Sequence, residues 1–329
     1  MTTSKLNKIS PNHHNDKETQ WITTEADVKL RVQCLEPSHE MSGSSGSKAL
    51  IFIHGVGGSS DVWGSQLQYF SKRGYHAIAP DLIGHGFSSA PDKCSLYTFE
   101  SMRKHCLDVF DQMCKDTNVI VGHSYGTSFA AYLASQRQEK ISKLVLLSGG
   151  APVALGPQSG VLSLPSFFLS CLRPALSRLF YKNAFHRKNK NMPNKEKAFD
   201  VPPYVLRYTM KGQRWEAGNE EFHSKLSQPT LLLHGVDDQL EAASATLQMH
   251  QTLITSELYY VDEASHMIMM EQPTIVNKLI ERFLNSDSSA DEHVEGGVSP
   301  LPTPRSPTET QSTHVTKSQP NLRLAALSS

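Results

Sequence analysis

The sequence has no excess of basic residues, no long apolar run and no clustered metal ligands. Its 32 Lys and Arg residues are balanced by 32 Asp and Glu residues, whereas nucleic-acid binding normally needs a basic excess. No segment reaches the ~18 consecutive apolar residues that a membrane span requires. There is no HExxH motif and no group of Cys and His residues with the spacing of a metal site. We therefore expect no metal, no cofactor and no nucleic-acid partner.

Cysteine is scarce, and signals for export or lipid attachment are missing. None of the five cysteines forms a CxxC pair, which is typical of reduced thiols inside the cell and not of a disulfide framework. The first twenty residues contain no apolar segment like that of a signal peptide. Thr2 excludes N-myristoylation. These features predict a cytoplasmic protein, with contact to the surface of an organelle membrane (a mitochondrion or a lipid droplet) as an open alternative.

Apolar residues are unevenly distributed along the chain. They make up 38% of the 329 residues, which is low for a chain that folds throughout. Residues 48–285 are rich in Leu, Ile, Val and Phe, whereas both ends are polar. We therefore predict that residues 1–19 are disordered and that residues 286–329, rich in Ser, Thr and Pro, form a disordered tail.

The central part of the chain alternates between strand-like and helix-like segments. Residues 21–36 are predicted to form an antiparallel hairpin, and continuous apolar strands then alternate with helices from Lys48 onward. Such strands are typical of a mostly parallel, doubly wound α/β sheet. Because the alternation is interrupted, residues 20–150 and 227–285 are predicted to form the core. Residues 151–226 are predicted to be an inserted helical lid over the carboxyl edge of the sheet.

The motif GHSYG, residues 122–126, is the first indication of chemistry. It matches G-x-S-x-G and lies between a predicted buried strand and a predicted helix, the context of a nucleophile elbow. The sharp turn is expected to hold Ser124 in a strained conformation, with its hydroxyl above the sheet at a helix N-terminus. Ser124 is therefore the candidate nucleophile.

A serine hydroxyl needs a base, and a histidine base needs a carboxylate that orients it. His266 follows the last predicted strand and precedes the final helix, where this chain order would place the base. Asp237 and Asp238 both follow the strand PTLLL. We choose Asp238 as the carboxylate and assign Asp237 to the turn, although sequence alone does not separate adjacent aspartates.

The glycine-rich loop HGVGG, residues 54–58, follows the first long strand. Its glycines allow backbone N–H groups to approach a ligand closely. The N–H groups of Val56 and Tyr125 are predicted to form an oxyanion hole. A phosphate-binding loop is the weaker alternative, because the third glycine of G-x-G-x-x-G and a Walker lysine are both missing.

These motifs, in this order, resemble the α/β-hydrolase superfamily. The resemblance covers roughly residues 20–285 and is carried by HGVGG, DLIGHGFS, GHSYG and the pair Asp238 and His266. It implies an α/β-hydrolase fold with Ser124, Asp238 and His266 as the catalytic triad. We expect Asp81, which begins DLIGHGFS, to brace a glycine-rich turn.

The resemblance also bears on the substrate. Neighbouring subgroups process monoacylglycerols and lysophospholipids, and some that transfer acyl groups to lysophosphatidic acid carry H-x-x-x-x-D after the catalytic histidine. Here Glu271 replaces that aspartate, which weakens the acyltransferase interpretation. Epoxide and haloalkane hydrolases use an aspartate nucleophile, so Ser124 argues against those reactions.

The predicted lid contains an apolar segment followed by a basic one. Residues 161–181 are strongly apolar and include Phe167 and Phe168, while residues 178–197 contain seven Lys and Arg. This combination suits a membrane or monolayer surface, or an acyl chain with an anionic head. The alternative is a cap that only packs on the core. Pro165 and Pro174 argue against a single straight helix.

Three functions follow as hypotheses. The first is hydrolysis of carboxylic esters, lipid-like and of the monoacylglycerol or lysophospholipid class, through an acyl-enzyme on Ser124. The second is acyl transfer by the same serine, of the lysophosphatidic acid type. The third is a non-catalytic scaffold that uses the hydrolase fold. The expected partner is a small acyl ester or lipid, with peripheral membrane or lipid-droplet contact through the lid.

Overall fold

The computed structural model describes residues 18–38, 47–157, 160–286 and 298–299. The prediction that residues 1–19 and 286–329 are disordered lies outside the described residues, except at a few positions. Two of these positions are Glu18 and Thr19, which lie in the first strand. Within the described ranges, no helix has the length and apolar character needed to cross a membrane.

The described residues form a nine-stranded, mostly parallel sheet. The strands are β1 (Glu18–Thr23), β2 (Lys29–Leu35), β3 (Lys48–Ile53), β4 (His76–Pro80), β5 (Thr117–His123), β6 (Ile141–Leu147), β7 (Thr230–Gly235), β8 (Ser256–Val261) and β9 (Val298–Ser299). Their order is β1-β2-β4-β3-β5-β6-β7-β8-β9. Strands β3 to β8 pair in parallel, and the predicted hairpin is β1 and β2. The predicted fold class is confirmed.

The helices cover both faces of the sheet and part of its edge. They are α1 (Gly64–Ser71), α2 (Phe99–Met113), α3 (Gly126–Gln136), α4 (Ser166–Ala184), α5 (Pro203–Gly212), α6 (Glu220–His223), α7 (Ala243–Thr252), α8 (Ile268–Glu271) and α9 (Pro273–Asn285). Thr98 caps α2 by accepting a hydrogen bond from the N–H of Ser101. The short helix α8 lies between β8 and α9, directly after Met267.

Alternate residues of β3 enter two different hydrophobic cores. Leu50 and Phe52 pack in the core that contains α1 and α9. Ala49, Ile51 and Ile53 pack in the other core, with α2 and α3. Because both faces of β3 are buried, its sequence is a continuous apolar run and does not alternate.

The parallel register brings the carboxyl ends of the strands together. Ile53 at the end of β3 pairs with Gly122 of β5, and His123 pairs with Leu147 of β6. The loops that follow these strands therefore meet at one edge of the sheet, where α/β proteins bind ligands. HGVGG and GHSYG both lie at this edge.

The insertion between β6 and β7 contains α4, α5, α6 and short 3₁₀ turns. Its first helix, α4, begins directly after Pro165 and continues through Pro174 to Ala184. Pro174 is exposed, so water can hydrate the carbonyl that its missing N–H leaves without a partner. The buried side chains of Leu169, Leu176 and Phe180 anchor α4 on both sides of the proline.

Two residues of the predicted disordered tail are ordered. Val298 and Ser299 form β9, which pairs antiparallel with Val261 and Tyr260 of β8. The prediction of disorder is therefore wrong at these two positions. Strand β8 would otherwise be an edge strand, and the unpaired backbone groups of an edge offer a template for any extended segment nearby.

Candidate active site

Ser124 lies in the turn between β5 and α3, in a backbone conformation that side chains rarely adopt. Its φ is +52°, and such strain persists only where surrounding contacts hold it. The Ser124 N–H donates to the carbonyl of Leu147 at 3.0 Å. The Ser124 carbonyl accepts from the N–H of Thr127 at 2.9 Å and from the Thr127 hydroxyl at 2.6 Å. Backbone contacts on both sides therefore hold the turn.

The two glycines of the motif are required by close packing of backbone. A Cβ at Gly122 would lie 2.7 Å from the Gly126 carbonyl oxygen, and a Cβ at Gly126 would overlap the carbonyl of Ile53. No real side chain tolerates such distances without a shift of the main chain. The spacing G-x-S-x-G thus reflects the crossing of β5, the turn and α3 over the end of β3.

His266 and Asp238 lie against each other behind this turn. The Nδ1 of His266 donates to Oδ2 of Asp238 at 2.9 Å. Oδ1 of Asp238 accepts from the N–H groups of Leu240 at 2.8 Å and Glu241 at 3.0 Å. Because Nδ1 carries the proton, Nε2 of His266 is left as an acceptor, which is the tautomer that a general base needs.

Asp237 has a different environment. Its carboxylate is about half exposed and lies 3.5 Å from Nε2 of His186, in the lid. Its N–H donates to the carbonyl of Ala264. The structure therefore brings Asp238 to His266 and turns Asp237 towards the lid.

Burial and charge act in opposite directions on this pair. Burial alone lowers the pKa of His266, but the carboxylates of Asp238, Glu241 and Glu271 together outweigh burial and raise the pKa of the imidazole above its usual value. Burial alone raises the pKa of Asp238, but the charge and hydrogen bond of His266 lower it. Asp238 is therefore ionised at neutral pH and stabilises a protonated His266.

His123 supports the loop that carries His266, a role that its place in the motif did not predict. Its Nε2 donates to the carbonyl of His266 at 2.9 Å, and the two ring centroids are 4.8 Å apart. Burial, helped by the nearby His266, lowers the pKa of His123 to about 3. A neutral ring can pack against His266 without repelling its protonated form.

Val56 and Tyr125 lie at the positions expected of oxyanion-hole donors. Val56 follows β3, and Tyr125 is the N-cap of α3. In the part of the chain that the structure describes, neither backbone N–H has a protein acceptor. His54 holds the first loop, because its Nδ1 contacts the carbonyl of Gly55 at 2.7 Å and its Nε2 accepts from the N–H of Leu82 at 3.0 Å.

Asp81 braces the loops around the site, as its position in DLIGHGFS led us to expect. It is fully buried. One carboxylate oxygen accepts from the N–H of Ser60 at 2.7 Å, and the other accepts from the N–H of Phe87 at 2.9 Å and from Arg31 at 3.2 Å.

Glu271 connects the histidine loop to the lid. Its Oε1 accepts from the N–H of His186 at 2.6 Å and from Nδ2 of Asn189 at 2.9 Å, while its Oε2 accepts from the N–H of Ser265 at 2.8 Å. From the sequence alone, Glu271 was notable only because it replaces the aspartate of the H-x-x-x-x-D pattern. In the structure its carboxylate is a bridge between the residue before His266 and the end of the lid helix.

One cavity contains most of these groups. Ser124, His266, Val56 and Tyr125 line it, whereas Asp238 lies behind His266. Its free volume is about 170 Å³. The wall is mainly apolar and is completed by lid side chains, which include Leu162, Leu176, Phe180, Phe199, Met210 and Trp215.

Glu241 is the carboxyl group of this cavity wall, and sequence reasoning did not identify it. Burial raises the pKa of Glu241 to about 7. It follows Asp238 by three residues and faces Gly150, where the carboxyl carbon would be 3.9 Å from an added Cβ. No sequence motif distinguishes Glu241 from other carboxyl groups of the chain.

Comparison with known proteins shows similarity along most of the chain. Residues 48–273 match the family described as alpha/beta hydrolase fold. Protein ABHD8 of Bos taurus is 39% identical over 259 residues, which cover 78% of this chain and 60% of that protein. Protein ABHD8 of Homo sapiens is 38% identical, with 78% and 59% covered. The chain therefore spans about 60% of the length of these curated relatives.

Solved structures share the fold at lower identity. The esterase RhEst1 from Rhodococcus sp. ECU1013 has a TM-score of 0.67 at 22% identity, covering 82% of this chain and 98% of its own. A thermophilic esterase from Thermogutta terrifontis has a TM-score of 0.67 at 19% identity, covering 83% and 100%. At such identities the likeness concerns the fold.

Proposed function

This chain belongs to the α/β-hydrolase family, and from that premise we propose that it hydrolyses carboxylic esters through an acyl-enzyme on Ser124. The observation that carries the proposal is the arrangement at the end of the sheet. His266 is held by Asp238 at 2.9 Å and lines the same cavity as the strained Ser124. This is the group of residues that makes a serine nucleophilic.

The proposed reaction has two halves. In the first, Oγ of Ser124 attacks the ester carbonyl while Nε2 of His266 takes its proton, and Asp238 stabilises the imidazolium. The N–H groups of Val56 and Tyr125 would stabilise the oxyanion. The alcohol leaves with the proton from His266. In the second half, water attacks the acyl-enzyme with the same base, and the acid is released.

The cavity favours an apolar acyl group of limited length. Its volume of about 170 Å³ is close to that of an engineered ~150 Å³ apolar cavity that binds benzene. A short or medium acyl chain would fill it, whereas a longer chain needs displacement of the lid. We propose lipid-like esters of the monoacylglycerol or lysophospholipid class, bound with the acyl chain among the lid side chains.

The other two hypotheses receive less support. Acyl transfer would use the same acyl-enzyme, but no feature of the described site favours an alcohol over water. A scaffold without activity would not require the hydrogen bonds that Asp238 makes to His266 and to two backbone N–H groups.

Labelling with a fluorophosphonate tests the proposal. Purified full chain should be labelled and should hydrolyse a series of p-nitrophenyl esters, and Ser124→Ala should abolish both because the nucleophilic hydroxyl is lost. Ser128→Ala is the matched control, since Ser128 also lines the cavity and its removal should leave labelling intact. Labelling that persists in Ser124→Ala would show that another residue is the nucleophile.

A further inference from the structure

A second groove, outside the catalytic cavity, lies between the lid and the core. Six cationic side chains line it: Arg178, Lys182, Arg187, Lys188, Lys190 and Lys195. We call these six residues and the space between them the basic groove. Its volume is about 940 Å³, and the carboxylates among its lining residues are those of Asp237 and Glu263. The whole chain has a net charge of zero, so this local excess does not follow from composition.

Most of the cations in the basic groove have no counterion within the described ranges. Lys188 pairs with Glu263, and Lys195 donates to the carbonyl of Lys190. Arg178, Lys182, Arg187 and the ammonium group of Lys190 have no carboxylate within ion-pair distance among the described residues. Like charges gathered in a groove repel one another and raise the local concentration of anions. The groove therefore suits a ligand that carries several negative charges.

The same helix that supplies Arg178 and Lys182 also exposes two aromatic rings. Phe167 is 72% exposed and Phe168 is 54% exposed. The centroids of their rings are 5.6 Å apart. At 3.6 residues per turn, Phe167 and Arg178 point within about 20° of each other along α4. Three of the buried residues of α4, Leu169, Leu176 and Phe180, lie on the opposite side. The outward face of α4 thus has an aromatic end and a cationic end, ~16 Å apart.

The combination of exposed aromatic rings and cations favours a membrane surface over a soluble anion as the ligand. Aromatic side chains on an amphipathic helix enter the boundary between headgroups and acyl chains, while neighbouring Lys and Arg contact lipid phosphates. A soluble phosphate would use the cations and leave Phe167 and Phe168 in water. We propose that the basic groove and the outward face of α4 bind phosphate-bearing headgroups at the surface of an anionic membrane.

The groove adjoins the loops of the catalytic site. Glu263, which pairs with Lys188, lies three residues before His266, and Asp237, which lies near His186, precedes Asp238. Docking through this surface would place the lid and its apolar cavity next to the lipid. The docking proposal goes beyond the proposed esterase activity and rests on charge and exposure, so the two can fail separately.

Vesicle co-sedimentation of the full chain tests the proposal. We expect binding to phosphatidylcholine vesicles that contain phosphatidic acid, little binding to phosphatidylcholine alone, and loss of binding at high salt because screening weakens exposed charges. Replacing Arg178, Lys182, Arg187 and Lys190 by Gln should weaken binding by at least about tenfold, because each of these cations is expected to contribute to attraction by the anionic surface.

A control with the same change in net charge replaces Lys29, Lys72, Lys140 and Lys278 by Gln. These four exposed lysines lie outside the groove, so this variant should bind like the wild type. Equal loss in both variants, or no binding of the wild type to the anionic vesicles, would overturn the proposal.

Two further measurements separate the lipid from a soluble phosphate. Phe167→Ser combined with Phe168→Ser should weaken vesicle binding severalfold, because the apolar contact is lost while every cation remains. Glycerol 3-phosphate should compete only weakly with the vesicles. If this compound displaces the vesicles efficiently and the phenylalanine variant binds normally, the groove takes a free phosphate and membrane docking is wrong.

Discussion

The residues at the carboxyl edge of the sheet and the residues of the lid are held in place by different interactions. At the edge, Ser124, Asp238 and Asp81 are positioned mainly by hydrogen bonds to backbone N–H and carbonyl groups. In the lid, α4 is anchored by apolar side chains, and Lys188, in the segment after α4, forms an ion pair with Glu263 of the core. Backbone hydrogen bonds constrain geometry more narrowly than apolar contacts do. We infer that the edge determines the reaction and the lid determines the substrate.

The largest effect on activity is expected at the carboxyl edge, where hydrogen bonds hold Asp238 and His266 in a strict geometry. Asp238→Asn should lower kcat by ~10⁴, because the amide no longer stabilises the required tautomer and charge of His266. Asp237→Asn is the matched control and should have a far smaller effect, since Asp237 faces His186. Steady-state kinetics on a soluble ester measures both. The opposite ranking would mean that Asp237 orients the base.

Glu271 joins the two regions, so its replacement should affect both. In Glu271→Gln one of the three N–H donors would face an amide NH₂ group, which costs about 1–3 kcal/mol in a buried site. We expect kcat to fall roughly tenfold and the thermal midpoint to decrease. Glu139→Gln, at an exposed position between α3 and β6, is the control. A wild-type kcat in Glu271→Gln would show that the lid and the histidine loop are independent.

The lid should change specificity without removing activity. Phe180→Ala enlarges the apolar cavity, so the preferred acyl chain should become longer by a few carbons, with kcat/KM on longer esters rising by about tenfold relative to the wild type. Phe167→Ala serves as the control, since Phe167 lies on the outward face of α4. An unchanged chain-length profile in Phe180→Ala would show that the acyl chain does not bind beside Phe180.

The smallest effect concerns pH. The Glu241 carboxylate raises the pKa of His266, although less than Asp238 does. His266 must be neutral to act as a base, so activity is lost as pH falls through its pKa. In Glu241→Gln the pKa of His266 should decrease, and the acid limb of the kcat/KM profile should move to lower pH. A limb that moves to higher pH, or does not move, would contradict this electrostatic contribution.

Much of the edge was predictable, because its motifs describe local backbone. The turn GHSYG and the loop HGVGG each follow a buried strand, and parallel register brings the ends of these strands together. Asp238 likewise follows the strand PTLLL. The environment of Glu241 and the bridge made by Glu271 were not predictable. The bridge made by Glu271 depends on His186 and Asn189 of the lid, which lie more than 80 positions away in the chain. Glu241 faces Gly150, which follows a different strand.

The sequence by itself determined the mostly parallel sheet, since continuous apolar strands alternate with helices. Its motifs carried the resemblance to the α/β-hydrolase family, which implied the candidate nucleophile, carboxylate and histidine in that order. Only the tertiary structure decided which aspartate accepts the hydrogen bond of His266 and which carboxyl group lines the cavity. It also decided which residues of α4 are buried and which are exposed. Asp237 and Asp238 are equivalent to any sequence pattern, because both follow the same strand. They differ in space, where one side chain turns inward to His266 and the other outward to the lid.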